Sequence, residues 1–106
     1  MAFQVDRRDS ENGCALHFSG SLDGNAFAGI RSALSGLPDC RELDLDLSEV
    51  DAIDSSGMGA LLMIREEIAP TALRLRKVSS IVKWKLELAG VYAVLLTPVE
   101  PPGDAV

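Results

Sequence analysis

The sequence predicts an α/β domain: a mixed, mostly parallel β-sheet opened by an antiparallel hairpin, with helices packed mainly on one face. Three observations carry this. Strand-like and helix-like segments follow one another in the order β-β-α-β-α-β-α-β, which implies right-handed crossovers between parallel strands. The strand segments keep strict period two, the mark of a sheet with one buried and one wet face. A wholly covered parallel sheet would instead carry apolar strands throughout. Finally, the first two strand segments are joined by the polar stretch Arg8-Asp9-Ser10-Glu11-Asn12-Gly13, a hairpin loop.

Each element has its own warrant. Phe3 to Arg7 alternates apolar and polar residues, and Ala15 to Ser19 sets Leu16 and Phe18 against His17. The first helix follows Asp23, a good N-cap, and runs through Ala26, Phe27, Ile30, Ala33 and Leu34 towards Gly36 and Pro38. Glu42 to Leu47 reads Glu-Leu-Asp-Leu-Asp-Leu, a strand that leads into a short acidic loop. The second helix opens at Ser55-Ser56-Gly57, puts Met58, Leu61, Leu62 and Ile68 on one apolar stripe, and stops at Pro70. Leu73 to Val78 is the next strand. Its Arg74 and Arg76 would lie beside Asp44 and Asp46 on the wet face. The third helix opens at Ser79-Ser80 and carries Ile81, Trp84 and Leu88 at helical spacing as its buried stripe, with Lys83, Lys85 and Glu87 outside. Gly90 is its C-terminal cap. Tyr92 to Thr97 is apolar and short and reads as a fifth strand.

The chain has 106 residues, 47% apolar and 25% charged. That is enough for one domain, 1–106, with a core over about 3–97 and a flexible, proline-rich tail over 98–106. Ten Lys+Arg stand against sixteen Asp+Glu, a formal charge of -6. No basic surplus exists to neutralise phosphates, which argues against direct nucleic-acid binding. No run of roughly 18 apolar residues could span a membrane. Charge precedes any apolar run at the N-terminus, so no secretory signal is read there and the cytoplasm is expected. Cys14 and Cys40 match no zinc or redox spacing and read as small buried hydrophobes.

The search for catalysis is mostly negative. His17 is the one histidine, so neither a metal site nor a hydrolase triad is expected. No P-loop and no dinucleotide loop are present. What remains is the segment Leu45-Asp46-Leu47-Ser48 through Glu49, Asp51 and Asp54 to Ser55-Ser56-Gly57-Met58-Gly59. Ser55 or Ser56 could serve only as an N-cap, with Asp54 at the positive end of the helix dipole. A hydroxyl there is also a place where free amides can hold a phosphoryl group. A phosphate beside Asp54, Asp51 and Glu49 would add nearly two negative charges to an acidic rim and repel a docked partner.

This stretch, with the turn Gly20-Ser21-Leu22-Asp23, closely resembles the STAS domain of anti-sigma-factor antagonists and sulfate-transporter tails. The resemblance spans roughly residues 3 to 97 in the same element order. It implies a non-enzymatic regulator without a cofactor, whose partners are an anti-sigma factor that is also a serine kinase, and a phosphatase. In that family the second serine of the motif, here Ser56, is phosphorylated and the complex falls apart. Asp54 would contact the kinase or shape the loop, and Asp23 lies near the phosphorylation loop. Ser55, Gly57 and Met58 complete the expected partner-binding set. The alternative is an adaptor that is not phosphorylated, a subunit of a lipid-transport ATPase or a stressosome-like assembly. A monomer or weak dimer is expected.

Overall fold

The structure is a computed structural model and describes residues 2–11, 13–35, 42–69 and 71–97. The alternating segments form one four-stranded sheet. Its strands β1 (Gln4–Ser10), β2 (Gly13–Leu22), β3 (Glu42–Ile53) and β4 (Ala72–Val78) lie side by side in chain order. β1 and β2 are antiparallel, and the other two pairs are parallel. Parallel neighbours need long connections, and the chain supplies α1 (Ala26–Leu34) and α2 (Ser55–Ile68) for them. Two further helices, α3 (Ser80–Leu88) and α4 (Val91–Leu95), follow β4.

The period-two pattern decides which face is covered. Leu16, Phe18, Leu43, Leu45 and Leu47 are fully buried, and they share one core with Ala26, Ile30, Leu61, Ile64, Val82, Leu86 and Leu95 from the helices. Burying one such side chain is worth roughly 1.5–3 kcal/mol. The intervening residues Ala15, His17, Asp44 and Asp46 are half-buried on the other face. There Arg74 stands in register with Asp44 but bonds Glu42 at 2.8 Å, while Arg76 approaches Asp44 at 4.0 Å. A register shift between Leu45 and Asp46 moves the pairing off the simple ladder expected from the sequence.

Arg7 ties the first strand to the first helix. Its guanidinium donates to the carbonyl oxygens of Ala33 and Ser35 at 3.1 and 3.2 Å, and it holds Asp9 through two further bonds of 3.0 Å. Those carbonyls are among the last of the helix and lack intrahelical donors.

Several expectations are corrected. Tyr92 to Thr97 is not a strand. Gly90 takes a left-handed φ of 75°, the chain turns back, and Val91–Leu95 form a helical turn that buries Leu95. A five-residue apolar run suits either state, and packing decided it. The hairpin turn is shorter than expected, since Ser10 already pairs with Gly13. The acidic loop after Leu47 is strand: Glu49 to Ile53 pair with Ser19 to Leu22. The buried stripe of α3 is Val82 and Leu86, whereas Ile81, Trp84 and Leu88 are 44%, 58% and 73% exposed. Two apolar stripes competed on that helix, and the spacing could not rank them. Cys14 is buried but disulfide-bonded rather than a thiol. Cys40, Gly36, Pro38, Pro70 and the tail 98–106 lie outside the described residues.

β4 pairs only with Glu42 to Leu47 of the twelve-residue β3. Beyond that point α3 takes over. The Ser79 amide donates to Leu47 at 3.4 Å, the Ser79 hydroxyl to the Val50 carbonyl at 2.9 Å, and Lys85 Nζ to the Ile53 carbonyl at 3.4 Å.

Candidate functional site

The site forms where β2 and β3 end side by side. Leu22 pairs with Ile53, so the turn after β2 and the start of α2 emerge together. Asp54 has extended backbone and is the N-cap of α2. Its carboxylate accepts from the Gly57 amide at 2.8 Å, and its carbonyl accepts from the Met58 amide at 3.0 Å. The cap expected of Ser55 or Ser56 therefore belongs to Asp54, whose shorter reach to the third amide is the usual N-cap geometry. Both serines are left exposed in the first turn, where helix amides point outward.

Asp23 does not cap α1 directly. Its carboxylate accepts from the Asn25 amide at 2.9 Å, its carbonyl accepts from Ala26 at 3.0 Å, and Asn25 is the residue before the helix. This Asx turn fixes Gly24 beside α2. A methyl group on Gly24 would lie 3.8 Å from Ser56 Cβ and 3.9 Å from its Oγ. Ser56 thus faces the Asp23–Gly24 turn. Gly57 is buried against Leu22 and Ile53, and Met58 is half-buried on the core.

The acidic rim is more ordered than a solvated loop. Asp51 accepts from the Ser21 hydroxyl at 3.5 Å. Glu49 is drawn to His17, whose Nε2 lies 2.9 Å from Glu49 Oε2 and whose Nδ1 lies 3.4 Å from Asp46 Oδ2. The hydrogen bond to Glu49 raises the His17 pKa above its ordinary value, against the opposing effect of burial and with help from Asp46. Burial pushes the Asp46 carboxyl up, but bonds from the Ser48 hydroxyl and amide and from His17 outweigh it and hold it below the usual range. This cluster stitches the wet face of the sheet together. Among the described residues, no group of three or more His, Cys, Asp or Glu is placed to hold a metal ion.

Sequence reasoning missed two neighbours of the site. Gly24 had a local signal, the Asp-Gly pair of a turn. Lys85, which reaches the carbonyl just before Asp54, had none, because only the packing of α3 along β3 brings it there.

A mixed four-stranded sheet with helices on one face, and a serine pair opening the helix that follows β3, define the class as a small α/β domain of STAS-like fold. The STAS domain model matches residues 3–101, and the chain belongs to that family. Among solved structures, an anti-sigma factor antagonist from Mycobacterium paratuberculosis superposes with a TM-score of 0.75 at 18% identity, over 88% of this chain and 82% of that one. SpoIIAA, an anti-sigma factor antagonist solved in its unphosphorylated form, gives 0.65 at 24% identity, over 85% and 82%. A protein of the DUF3478 family with a SpoIIAA-like fold from Shewanella loihica gives 0.52 at 15% identity, over 85% and 79%. No curated protein matches the sequence at a significant level. No helix among the described residues is long and apolar enough to cross a membrane.

Proposed function

We propose that this chain is an anti-sigma-factor antagonist that works by partner switching in the cytoplasm. It would bind an anti-sigma factor that is also a serine kinase, through the Asp23–Gly24 turn and the first turn of α2. The kinase would transfer the γ-phosphoryl group of its ATP to Ser56 Oγ, and a phosphatase would reset the switch. The chain itself acts as a binding regulator and not as an enzyme. The observation that supports this reading is the placement of Ser56: exposed in the first turn of α2 and facing a glycine rather than a side chain. A phosphate there is favoured by the helix amides, so the modified protein remains folded. The same phosphate carries about -1.5 to -2 charges into a rim that already holds Asp23 and Asp54. A docked partner is repelled while the fold is kept.

The test is capture from lysate of the source organism with Mg-ATP, read by mass spectrometry at Ser55 and Ser56. Capture of an ATPase-fold kinase, phosphate on Ser56 and loss of the complex are expected. Ser56→Asp should abolish the complex, and Ser56→Ala should hold it in the presence of ATP. Phosphate on Ser55 alone, or a complex indifferent to ATP, overturns the switch.

A further inference from the structure

The face of the sheet that carries no helix holds a cavity. Strand register sets side chains from neighbouring strands into rows on one face. One row runs Arg8–Ala15–Asp44–Arg74, and the next runs Asp6–His17–Asp46–Lys77. In the first row Ala15 offers only a methyl group. Arg8 and Asp44 therefore face each other across a gap of two strand spacings, roughly 9.6 Å between their backbones. The gap belongs to a cavity of about 310 Å³ that His17 also lines, with Arg76 and Lys77 closing it from β4.

The charges around this cavity divide into engaged and unengaged groups. Asp9 is held by Arg7 through two bonds. Asp46 accepts from Ser48 and faces His17, which Glu49 holds on its other nitrogen. Arg74 is committed to Glu42. Asp6 stands on the same face but does not line the cavity. Asp44 has only Arg76 at 4.0 Å, the long limit of an ion pair, on a side chain that is itself exposed. Such a pair is worth little in water. Arg8 and Lys77 have no bond or ion pair among the described residues. What remains is two free cations and one weakly paired carboxylate around a gap that they do not close. A simple anion would be repelled by Asp44, and a simple cation by Arg8 and Lys77. A ligand with two carboxylates and one ammonium matches the set charge for charge.

We infer that the open face of the sheet binds a free dicarboxylic α-amino acid. Its α-ammonium lies on Asp44, its α-carboxylate on Arg8 and its side-chain carboxylate on Lys77. A planar guanidinium takes a carboxylate through two parallel bonds, and a lysine ammonium meets the second as a point charge. The cavity is of the size usual for small-molecule sites. This goes beyond the switch at Ser56. Ala15 stands roughly 23 Å along β2 from Leu22, the end of the strand beside which α2 opens, so the two sites can be occupied separately.

His17 is the only histidine and lines the cavity, so its ring resonances report occupancy directly. L-Glutamate is expected to shift them saturably, with a dissociation constant of about 1 mM or tighter. Glutarate lacks the ammonium and L-glutamine lacks the second carboxylate. Each should bind about fivefold or more weakly than glutamate at the same pH and ionic strength. Arg8→Ala, at an exposed side chain with no partner to lose, should weaken glutamate about tenfold. Asp44→Asn should weaken glutamate by a similar factor and leave glutarate unweakened. Ala15→Leu should abolish binding by filling the gap, with circular dichroism to confirm the sheet; if that variant misfolds, Arg8→Ala carries the test. Ser56→Asp should bind glutamate as the unmodified chain does. A failed Ser56 test therefore leaves this site standing, and a failed titration leaves the switch standing. Equal binding of glutarate would mark a site for anions only, and equal binding of glutamine a site that ignores the second carboxylate. Either result overturns the proposal, as does an Arg8→Ala chain that binds unchanged. So does a titration with no saturation at about ten times the expected constant.

Discussion

Gly57 and Leu22 are in backbone contact: a methyl group on Gly57 would overlap the Leu22 carbonyl oxygen and lie 2.7 Å from its carbonyl carbon. The start of α2 is thereby pressed onto the end of β2. Gly57→Ala forces that contact apart, and its third neighbour, Ile53 Cγ1 at 3.0 Å, belongs to a packed core residue. A destabilisation of about 1–3 kcal/mol or more is expected, read as a lower urea midpoint. A Gly57→Ala midpoint equal to that of the unmodified chain would show that the two segments can separate freely.

His17 is the sole histidine, so its ring resonances can be followed without assignment. Its folded pKa is raised, first by the bond to Glu49. The linked stability is therefore fully present below the unfolded value of about 6.5 and is lost as pH rises through the folded one. Glu49→Gln should lower the NMR midpoint, and its deficit in stability should shrink as pH rises above about 6.5 through the folded value. Asp46 carries the opposite sign: its lowered pKa gives stability at neutral pH that disappears as acid reaches the folded value. A midpoint unmoved by Glu49→Gln would remove the ion pair from the account.

Arg7 joins β1 to the end of α1 through two carbonyls while Asp9 holds its other edge. Arg7→Ala should cost about 1–2 kcal/mol, since bonds from a charged donor exceed neutral ones but this side chain is partly solvated. Arg7→Lys should recover little, because a point charge cannot serve both carbonyls and a bidentate carboxylate. Hydrogen exchange localises the effect: amides at the C-terminal turn of α1 should lose protection before those of α2.

Cys14 sits in the core at the start of β2 and is disulfide-bonded. Protein prepared without reductant should show no thiol that reacts with Ellman's reagent after unfolding. Reduction should lower the stability by about 2–4 kcal/mol, the usual effect of losing a native disulfide. Two reactive thiols per chain would refute the bond.

The sheet was legible because its strands alternate so strictly. Leu43-Asp44-Leu45-Asp46-Leu47 can be buried on one face only, and the structure buries the three leucines. The opening of α2 was legible for a similar reason, since an acidic residue followed by two serines and a glycine is local helix-start chemistry. Where the sequence misled, two local solutions were nearly equal. On α3, Ile81-Trp84-Leu88 is longer and more apolar than Val82-Leu86, yet the shorter pair is buried. At Tyr92 to Thr97, a left-handed Gly90 and the room beside α3 selected a helical turn. The strand character of Glu49 and Asp51 was hidden because their polarity is that of a loop, while Glu49 pairs with distant Ser19 and Asp51 sits at a register shift where its carboxylate accepts from the Ser21 hydroxyl.

The way α3 lies along β3 has a consequence for misfolding. From Ser48 to Ile53 the outer margin of β3 has no neighbouring strand among the described residues. Three of its carbonyls, those of Leu47, Val50 and Ile53, are instead served by Ser79 and Lys85. Detaching α3 would uncover a bare strand margin, able to template pairing with another chain. It would uncover Val82 and Leu86 at the same time. Substitutions that loosen the helix, such as Ser79→Ala, should therefore appear first as soluble aggregates on heating, before any loss of sheet signal. In this sense α3 guards the margin of the twelve-residue β3 against other chains.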